Sequence, residues 1–419
     1  MLSATPDSPT DPPAQQLADV AVIGTGAMGT GIAQVAAQAG HRVHLLDAFE
    51  GAADKAHQRL GATLTKLASK GKISQADADA ATARLDVVDR IEDLPACGLV
   101  IEAIREDLGD KRALFTALAE RQPADTLLAT NTSSLDIAAI AEGLPQPERV
   151  LGLHFFNPPP LMKLVEVIHG HNHEGPDGHV TAESTQVLNR AAELVRRWGK
   201  TPVSCTSTPG FIVNRVARPF YGEAQRMVAD GTVDPATVDL TLRRAGFRMG
   251  PMELTDLIGQ DVNLAVGTSV WEQTGRDERY TPTDYQRGLV EAGKLGRKTG
   301  QGVFSYDDTG RALDAEPDEE LAAKLTADDA PVRTNPVART IAMLVNEAVD
   351  LVARGEASAE DVDTAMKLGT NYPKGPLEWG REIGFGRVAE QLRELDEAFP
   401  GGRYRLSPGL LEGDNGTAP

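Results

Sequence analysis

Short apolar runs alternate with longer amphipathic stretches through the first half of the chain. Residues 18–24 (ADVAVIG) are a nearly continuous apolar run, and residues 41–47 (HRVHLLD) contain a second, shorter apolar run. Between them, apolar and small residues recur at helical spacing up to Gly40, and a second helical pattern reaches Lys70. A strand that is covered by helices on both faces has this continuous apolar pattern. The two runs are therefore predicted to be buried parallel strands.

The alternation continues to about residue 206. Further strands are predicted at residues 99–104, 126–134 and 149–156, with helical segments between most of them. Strands that alternate with helices form a mostly parallel, doubly wound sheet. The sequence therefore predicts an α/β fold of the Rossmann type over residues 18–206.

Beyond residue 206 the strand pattern fades. Residues 207–312 show helices interrupted by Gly and Pro, and residues 313–332 are acidic and predict a solvent-exposed linker with some helical pattern. An internal repeat also appears: residues 223–254 share Glu-Ala, Val-Ala-x-x-Gly, Val-Asp and Gly-Pro-x-Glu with residues 347–379, in the same order. The spacing is 124 residues and slips to 125 at the Gly-Pro. We therefore predict a second, degenerate helical copy over residues 333–411.

Length and composition narrow the class of protein. A chain of 419 residues is too long for one compact core, and its formal charge of −19 disfavours nucleic acid or an anionic membrane as partner. The two cysteines, Cys97 and Cys205, provide no disulfide framework, which favours a reducing compartment. Residues 1–17 and 412–419 have the composition of disordered tails, and the first of them lacks the pattern of a signal peptide. No apolar run approaches the ~20 residues of a membrane span, so we expect a cytoplasmic protein.

A glycine pattern follows the first predicted strand. Gly24, Gly26 and Gly29 have the G-x-G-x-x-G spacing between a strand and a helix, which lets a pyrophosphate approach the backbone at the helix N-terminus. Asp47 ends the next predicted strand, where a carboxylate accepts hydrogen bonds from a ribose and repels a 2′-phosphate. The alternative is a purely structural glycine turn. We predict NAD rather than NADP as cofactor.

Two ionisable residues interrupt a pair of apolar runs. His154 and Glu166 are equally distant from Pro160, the last residue of an Asn-Pro-Pro-Pro turn signal. In an antiparallel hairpin they would face each other, and the carboxylate would fix the imidazole tautomer and raise its basicity. The alternative is a buried histidine that is satisfied by a structural glutamate. With a dinucleotide motif upstream, we predict a general base.

Three other polar segments are candidates for function. Ser133 lies in NTSS at the end of a predicted strand, where parallel sheets bind ligands, and Asn214 lies in PGFIVNR, where an amide could cap a helix or contact substrate. Residues 169–175 (HGHNHEG) place alternate histidines that could share one face of a strand. A polar, Gly-containing stretch after a strand more often forms an exposed loop, so no metal site is predicted.

Six segments resemble the L-3-hydroxyacyl-CoA dehydrogenase family, in that family's order: GTGAMGTGIA, EAIREDLGDK, ATNTSSL, GLHFFNPPPLMKLVEVI, TPGFIVNR and GRKTGQG. The resemblance implies NAD-dependent oxidation of the 3-hydroxyl of an acyl-CoA, in fatty-acid or aromatic-acid breakdown. It also implies that the helical copies have the fold of the 6-phosphogluconate dehydrogenase C-terminal domain. The residues after 333 resemble a second copy of the family's C-terminal domain.

The resemblance also implies roles for individual residues. His154 matches the general base, Glu166 its orienting partner, and Ser133 and Asn214 the contacts to substrate oxygens. CoA contacts are implied for Thr63, Lys70 and Ser133. The positions that match cofactor contacts are Gly24, Gly26, Ala27, Met28, Gly29, Asp47, Glu106, Lys111, Ser133, Asn157 and Lys298.

The second helical copy lacks a PGFIVNR segment and a Rossmann unit, so it is predicted to be catalytically silent. In shorter members of the family that the chain resembles, the helical domain pairs with that of another subunit. We therefore expect either a homodimer or a monomer in which the second copy is an internal partner, with contact between residues 210–300 and 335–410.

Other functions remain open from the sequence. A sugar-acid dehydrogenase would use the same scaffold, and a non-enzymatic NAD-binding protein could retain the fold. Short-chain β-hydroxyacid dehydrogenases share the glycine motif but use a catalytic lysine, so the pairing of His154 with Glu166 disfavours them.

Overall fold

An eight-stranded sheet forms the N-terminal half of the molecule. The structure, a computed structural model, describes residues 18–175 and 177–412, so the predicted tails lie outside it except for Glu412, the last residue of a helix. The strands are β1 Val20–Ile23, β2 Val43–Leu46, β3 Leu85–Val87, β4 Leu99–Glu102, β5 Leu127–Thr130, β6 Val150–Phe155, β7 Leu164–His169 and β8 Thr201–Thr206.

The sheet has the order β3-β2-β1-β4-β5-β6-β7-β8. Strands β1 to β6 pair in parallel, β7 is antiparallel to β6, and β8 is parallel to β7. The helices of this half are α1 Ala27–Gln38, α2 Ala52–Ser69, α3 Gln75–Thr82, α4 Leu108–Arg121, α5 Ile137–Ala141 and α6 Ala182–Arg197. The predicted Rossmann-type fold is confirmed.

Two strands were missed by the sequence analysis. Strand β3 has only three residues, which is too short for a periodic signal. Strand β8 contains Pro202 and alternates buried with exposed positions, as expected at the edge of a sheet rather than at its centre.

The helical half follows β8. Its helices are α7 Val213–Val216, α8 Arg218–Ala229, α9 Pro235–Arg244, α10 Pro251–Ile258, α11 Gln260–Gln273, α12 Asp284–Glu291, α13 Glu319–Leu325, α14 Pro336–Ala353, α15 Ala359–Thr370, α16 Pro376–Ile383, α17 Phe385–Ala398 and α18 Pro408–Glu412. Helix α14 packs against α8, its counterpart in the repeat. The described residues form two hydrophobic clusters. One lies within the sheet and its helices and includes Val22 and Ile32, and the other extends from the sheet residue Val100 to Phe220 and Met343 in the two helical copies.

The two copies exchange charged side chains reciprocally. Glu223 of α8 is fully buried and accepts hydrogen bonds from Arg339 (2.7 Å), Arg403 (2.6 and 2.8 Å) and the Tyr404 hydroxyl (2.7 Å), all from the second copy. Burial alone would raise the pKa of Glu223, but the guanidinium groups of Arg403 and Arg339 outweigh it and lower the pKa to about 2. We call these four residues the Glu223 cluster.

An equivalent contact joins a glutamate of the second copy to an Arg-Tyr pair of the first. Glu347 of α14 is fully buried and accepts from Arg279 (2.8 Å) and from the Tyr280 hydroxyl (2.6 Å) of the first copy. Each copy therefore supplies the glutamate of one cluster and the Arg-Tyr pair of the other. The predicted contact between residues 210–300 and 335–410 is confirmed.

The acidic segment at residues 313–332 is not a solvated linker throughout. Helix α13 lies within it, and Ala322 and Leu325 are buried. The amide of Asp318 donates to the Thr237 hydroxyl (2.7 Å) on α9. The expectation of an exposed linker is wrong for this part, because two apolar residues at helical spacing give the segment a buried face. Among the described helices, none is both long and apolar enough to cross a bilayer.

Candidate active site

The glycine turn opens a cleft beside β1. Gly24 has φ +90°, and a Cβ there would lie 2.6 Å from the Ala103 carbonyl oxygen. A Cβ on Gly29 would lie 1.8 Å from the Gly24 oxygen, so helix α1 could not pack this closely on the turn. A Cβ on Gly26 would meet nothing within 4 Å, because Gly26 faces the cleft. The first amides of α1, from Ala27 and Met28, begin at this open position, which suits a pyrophosphate.

Asp47 directly follows β2 at the edge of the same cleft. Its Oδ2 accepts from the Thr25 amide (2.6 Å) and the Thr25 hydroxyl (2.7 Å), and its Oδ1 from the Phe49 amide (3.0 Å). Burial opposes ionisation, but the backbone hydrogen bonds from Thr25 and Phe49 outweigh it and hold the pKa of Asp47 below its usual value. The cleft has a volume of about 860 Å³ and is lined by the glycine turn, Asp47, Lys55 and Arg59. A fixed carboxylate here fits a ribose diol.

His154 and Glu166 face each other across the hairpin of β6 and β7. They are directly paired in the antiparallel register, and Nδ1 of His154 lies 2.6 Å from Oε2 of Glu166. The predicted hairpin is confirmed. Glu166 is 0% exposed and His154 is 7% exposed, so the imidazole reaches the surface of the site while the carboxylate is fully enclosed. The rings of Phe156 and Phe211 flank the imidazole, with centroids 4.6 and 5.8 Å away.

The second oxygen of Glu166 binds the start of the helical half. Oε1 accepts from the amides of Ile212 (3.2 Å) and Val213 (2.9 Å), the N-cap and the first residue of the short helix α7. Two backbone amides and one imidazole therefore satisfy the buried carboxylate and fix its orientation. These amides were not predicted from the sequence, since backbone donors leave no residue-type signal.

Asn214 is the second residue of α7, immediately after the amide that holds Glu166. The N-cap position belongs to Ile212, whose side chain makes no capping hydrogen bond, so the interpretation of Asn214 as a cap is wrong. Asn157 is exposed and lies two residues beyond β6. Asn214 is thus next in sequence to Val213, which contacts Glu166, and Asn157 is close in sequence to β6, which carries His154.

Ser133 lies in the turn after β5, and Glu106 organises that turn. One Glu106 oxygen accepts from the amides of Ser133 (2.9 Å) and Ser134 (3.1 Å) and from the Thr132 hydroxyl (2.5 Å). Burial opposes ionisation of Glu106, but the Thr132 hydroxyl and Lys111 outweigh it and keep its pKa below the usual value. Ser133 itself is half-buried.

Lys111 is 1% exposed, and its ammonium lies 2.6 Å from Glu102 and 3.4 Å from Glu106. Glu102, at the end of β4, also accepts from the Thr130 hydroxyl (2.7 Å). Lys111 therefore pairs with two carboxylates. Glu102 contacts the end of β5, and Glu106 contacts the turn that contains Ser133. Glu102 was not predicted as a site residue from the sequence, although an acid is unusual at the end of an apolar strand.

The remaining candidates lie further from the hairpin in the chain. Lys298 forms an ion pair with Asp261 of α11 (2.5 and 2.7 Å), a partner that the sequence analysis missed. Thr63 and Lys70 are exposed on α2 and at its C-terminal end, and the Thr63 hydroxyl donates to the Arg59 carbonyl (2.8 Å).

The histidines after β7 do not form an exposed loop throughout. His173 is fully buried, and burial lowers its pKa to about 4, whereas His171 is exposed and pairs with Glu174 (2.6 Å). The expectation of an exposed loop is therefore wrong for His173. Within residues 18–175 and 177–412, no group of three or more His, Cys, Asp or Glu side chains could hold a metal ion.

A Rossmann sheet with a glycine turn, an acid after β2 and a carboxylate-oriented histidine defines the class of NAD-dependent dehydrogenases. Comparison with known proteins narrows the class. The model of the NAD-binding domain of 3-hydroxyacyl-CoA dehydrogenase matches residues 19–208, and the model of the C-terminal domain matches residues 210–306 and 336–414. The C-terminal match thus occurs twice, over both repeat copies.

Curated and solved relatives agree. The chain is 40% identical to 3-hydroxyadipyl-CoA dehydrogenase of Escherichia coli, over 92% of this chain and 95% of the relative. It is 40% identical to 3-hydroxybutyryl-CoA dehydrogenase of Clostridioides difficile, over 69% of this chain and 99% of the relative. A crystal structure described as 3-hydroxybutyryl-CoA dehydrogenase of Escherichia coli superposes with a TM-score of 0.83 at 39% identity, covering 95% of this chain and 98% of that one.

The chain belongs to the 3-hydroxyacyl-CoA dehydrogenase family. It is an oxidoreductase, and NAD is its cofactor. The predicted family and cofactor are confirmed.

Proposed function

We propose that this protein oxidises the 3-hydroxyl group of a 3-hydroxyacyl-CoA thioester to a ketone, with His154 as the general base. The observation that carries the assignment is the 2.6 Å contact between His154 Nδ1 and the enclosed carboxylate of Glu166. Bound NAD supplies the hydride acceptor. A histidine is suited to the accompanying proton transfer because its ordinary pKa is close to neutrality.

The roles follow from the direction of the hydrogen bonds. With Glu166 accepting from Nδ1–H, the neutral imidazole carries its free lone pair on Nε2, which takes the proton of the substrate hydroxyl. Glu166 then stabilises the imidazolium, and the Ile212 and Val213 amides keep the carboxylate in place. Ser133 and Asn214 are proposed to hydrogen-bond the substrate oxygens. Ser133 lies in the turn after β5, the strand that pairs with β6, and Asn214 directly follows Val213, whose amide holds Glu166.

Cofactor contacts are proposed along the cleft and at residues outside its lining. The glycine turn with Ala27 and Met28 would hold the pyrophosphate, and Asp47 the ribose. Glu106, Ser133, Asn157 and Lys298 are proposed as further contacts. Lys111 is enclosed at 1% exposure, so its proposed contribution is to orient Glu106.

Two assays test the function. Loss of NADH absorbance with acetoacetyl-CoA, and its gain with (S)-3-hydroxybutyryl-CoA or a 3-hydroxyadipyl thioester, is the expected result, with no turnover of sugar acids. A kcat/KM series over acyl chains ranks the thioesters, since the names of relatives point to both butyryl and adipyl substrates. Turnover of a sugar acid alone would favour the alternative dehydrogenase, and no turnover with any of these would favour a non-enzymatic NAD-binding protein.

The Lys70→Ala variant tests the CoA contact. Lys70 is exposed at the end of α2, and a cation there would pair with the phosphates of the anionic CoA nucleotide. We expect KM for the acyl-CoA to rise about fivefold to tenfold, as for the loss of one charge-assisted contact of ~1–1.4 kcal/mol, with KM for NAD unchanged.

The matched control is Lys324→Ala, which removes an exposed lysine from α13 in the helical half. Steady-state kinetics with each substrate varied in turn distinguish the two variants. An unchanged KM for acyl-CoA in Lys70→Ala, or an equal rise in the control, would remove Lys70 from the site.

We also propose that the second helical copy takes the place of a partner subunit, because the Glu223 cluster and its counterpart already bury the reciprocal contact. The free thiols of Cys97 and Cys205 support placement in the cytoplasm.

A further inference from the structure

We infer that the second helical copy, although it carries no catalytic group, positions the active site by holding Arg215 with Asp350 and Glu356. Arg215, Asp350 and Glu356 are positioning residues in this inference, and we call them the Arg215 clamp. The expected change in kcat rests on the proposed function, whereas the expected change in hydrogen exchange does not.

Arg215 belongs to the segment that supports the catalytic pair. It lies in the four-residue helix α7, one residue after Asn214. The two amides that hold Glu166 come from Ile212 and Val213, at the start of that helix. A helix this short has no internal stability of its own, so its position depends on what its side chains contact.

Four groups surround the Arg215 guanidinium. Its Nη2 lies 2.5 Å from Asp350 and its Nη1 lies 2.5 Å from Glu356. Its Nε donates to the Tyr280 hydroxyl (3.0 Å) and lies 3.5 Å from Glu347. The side chain is 6% exposed, so these contacts are largely shielded from solvent. Because the fork is planar and its donors point in three directions, the clamp restricts rotation as well as distance.

The second copy touches the same region in two other ways. The Thr206 amide at the end of β8 donates to the Glu356 carbonyl (2.9 Å), and Cys205 pairs with Ala357 as an isolated bridge. On α15, a Cβ at Gly369 would lie 2.8 Å from Leu164 and 2.9 Å from Val213. Since β8 neighbours β7 and Val213 donates to Glu166, the second copy contacts both elements beside the carboxylate.

The reciprocal arrangement of the two copies provides a matched control. In the Glu223 cluster a buried glutamate is again paired with Arg and Tyr side chains. Arg339 of that cluster is the repeat equivalent of Arg215. Ala338 precedes Arg339, where the first copy has Asn214. Breaking the Glu223 cluster should therefore weaken the same interface without disturbing the segment that holds Glu166.

The experiment compares the double variant Asp350→Asn/Glu356→Gln with Glu223→Gln. We expect kcat of the double variant to fall about tenfold, because small displacements of a catalytic group are costly, with the Kd for NADH unchanged. In Glu223→Gln we expect a lowered thermal midpoint but kcat within twofold of the wild type. Glu356→Gln alone, at a side chain that is 15% exposed, should show about a threefold loss and serves if the double variant does not fold.

Amide hydrogen exchange supplies a readout that does not depend on turnover. Peptides that cover residues 211–216 should exchange at least tenfold faster in the clamp variants than in the wild type, and at the wild-type rate in Glu223→Gln. Unchanged exchange in the clamp variants, or equal losses of kcat in both sets, would overturn the inference. If the wild type turned over no thioester, the proposed function would fail while exchange still decided the positioning role.

Discussion

His154→Gln is expected to lose two to four orders of magnitude in kcat, the usual cost of removing a general base (~10²–10⁴). A glutamine side chain can still fill the space beside Phe156 and Phe211, but it has no lone pair of suitable basicity for the hydroxyl proton. Binding of NADH should be unchanged, because the glycine turn and Asp47 lie on other strands. Stopped-flow measurement of NADH formation at saturating 3-hydroxyacyl-CoA gives kcat directly.

The surface pair His171–Glu174 provides the control for this variant. Its Nδ1–Oε2 distance is also 2.6 Å, but the His171 side chain is 85% exposed. His171→Gln should therefore retain wild-type turnover. Near-wild-type kcat in His154→Gln would contradict the assigned base and would leave the hairpin pair with a structural role.

Glu166→Gln is expected to reduce kcat by about 10²–10³ and to destabilise the protein. The carboxylate accepts from two amides on one oxygen and from the imidazole on the other. If the glutamine oxygen keeps the amides, its NH₂ group faces His154 and forces the proton onto Nε2, where the substrate proton must go. If the glutamine amide adopts the opposite orientation, its NH₂ group faces the Ile212 and Val213 amides, which are also donors. The unsatisfied buried donors would then lower the free energy of unfolding by about 1–3 kcal/mol.

Kinetics and thermal denaturation of the same preparation separate these two orientations. A large loss of kcat with a small change in thermal midpoint indicates the first, and a lowered midpoint with residual activity indicates the second. Glu174→Gln, at the partly exposed carboxylate that pairs with His171, should change neither quantity. Turnover within threefold of the wild type in Glu166→Gln would show that His154 needs no orienting carboxylate.

Much of the fold and of the catalytic pair could be predicted because the signals are local. The glycine spacing, the acid after the second strand and the symmetric placement of His154 and Glu166 about Pro160 each lie within a short window of sequence. Register in a hairpin follows from its turn, so the pairing of the two residues could be derived before any coordinates. The internal repeat likewise predicted contact between the helical copies.

Long-range partners could not be predicted in the same way. Arg215 and Asp350 are separated by 135 residues, and no periodicity links a guanidinium to a carboxylate over that distance. The pairing of Lys111 with Glu102 was missed because a single acid at a strand end has many possible partners. The repeat did contain a clue: Glu223, Arg279 and Tyr280 recur as Glu347, Arg403 and Tyr404, and matched buried acids and bases suggest reciprocal pairing.

The reciprocal exchange between the helical copies has a consequence for how such a chain can change over evolution. In an assembly of two identical subunits, every substitution at the shared contact is made twice. Here each copy can vary alone: Asp350 in the second copy takes the repeat position that Arg226 has in the first. A chain that carries both copies can therefore change one copy while the other is kept, as at Ala338, which takes the repeat position of Asn214.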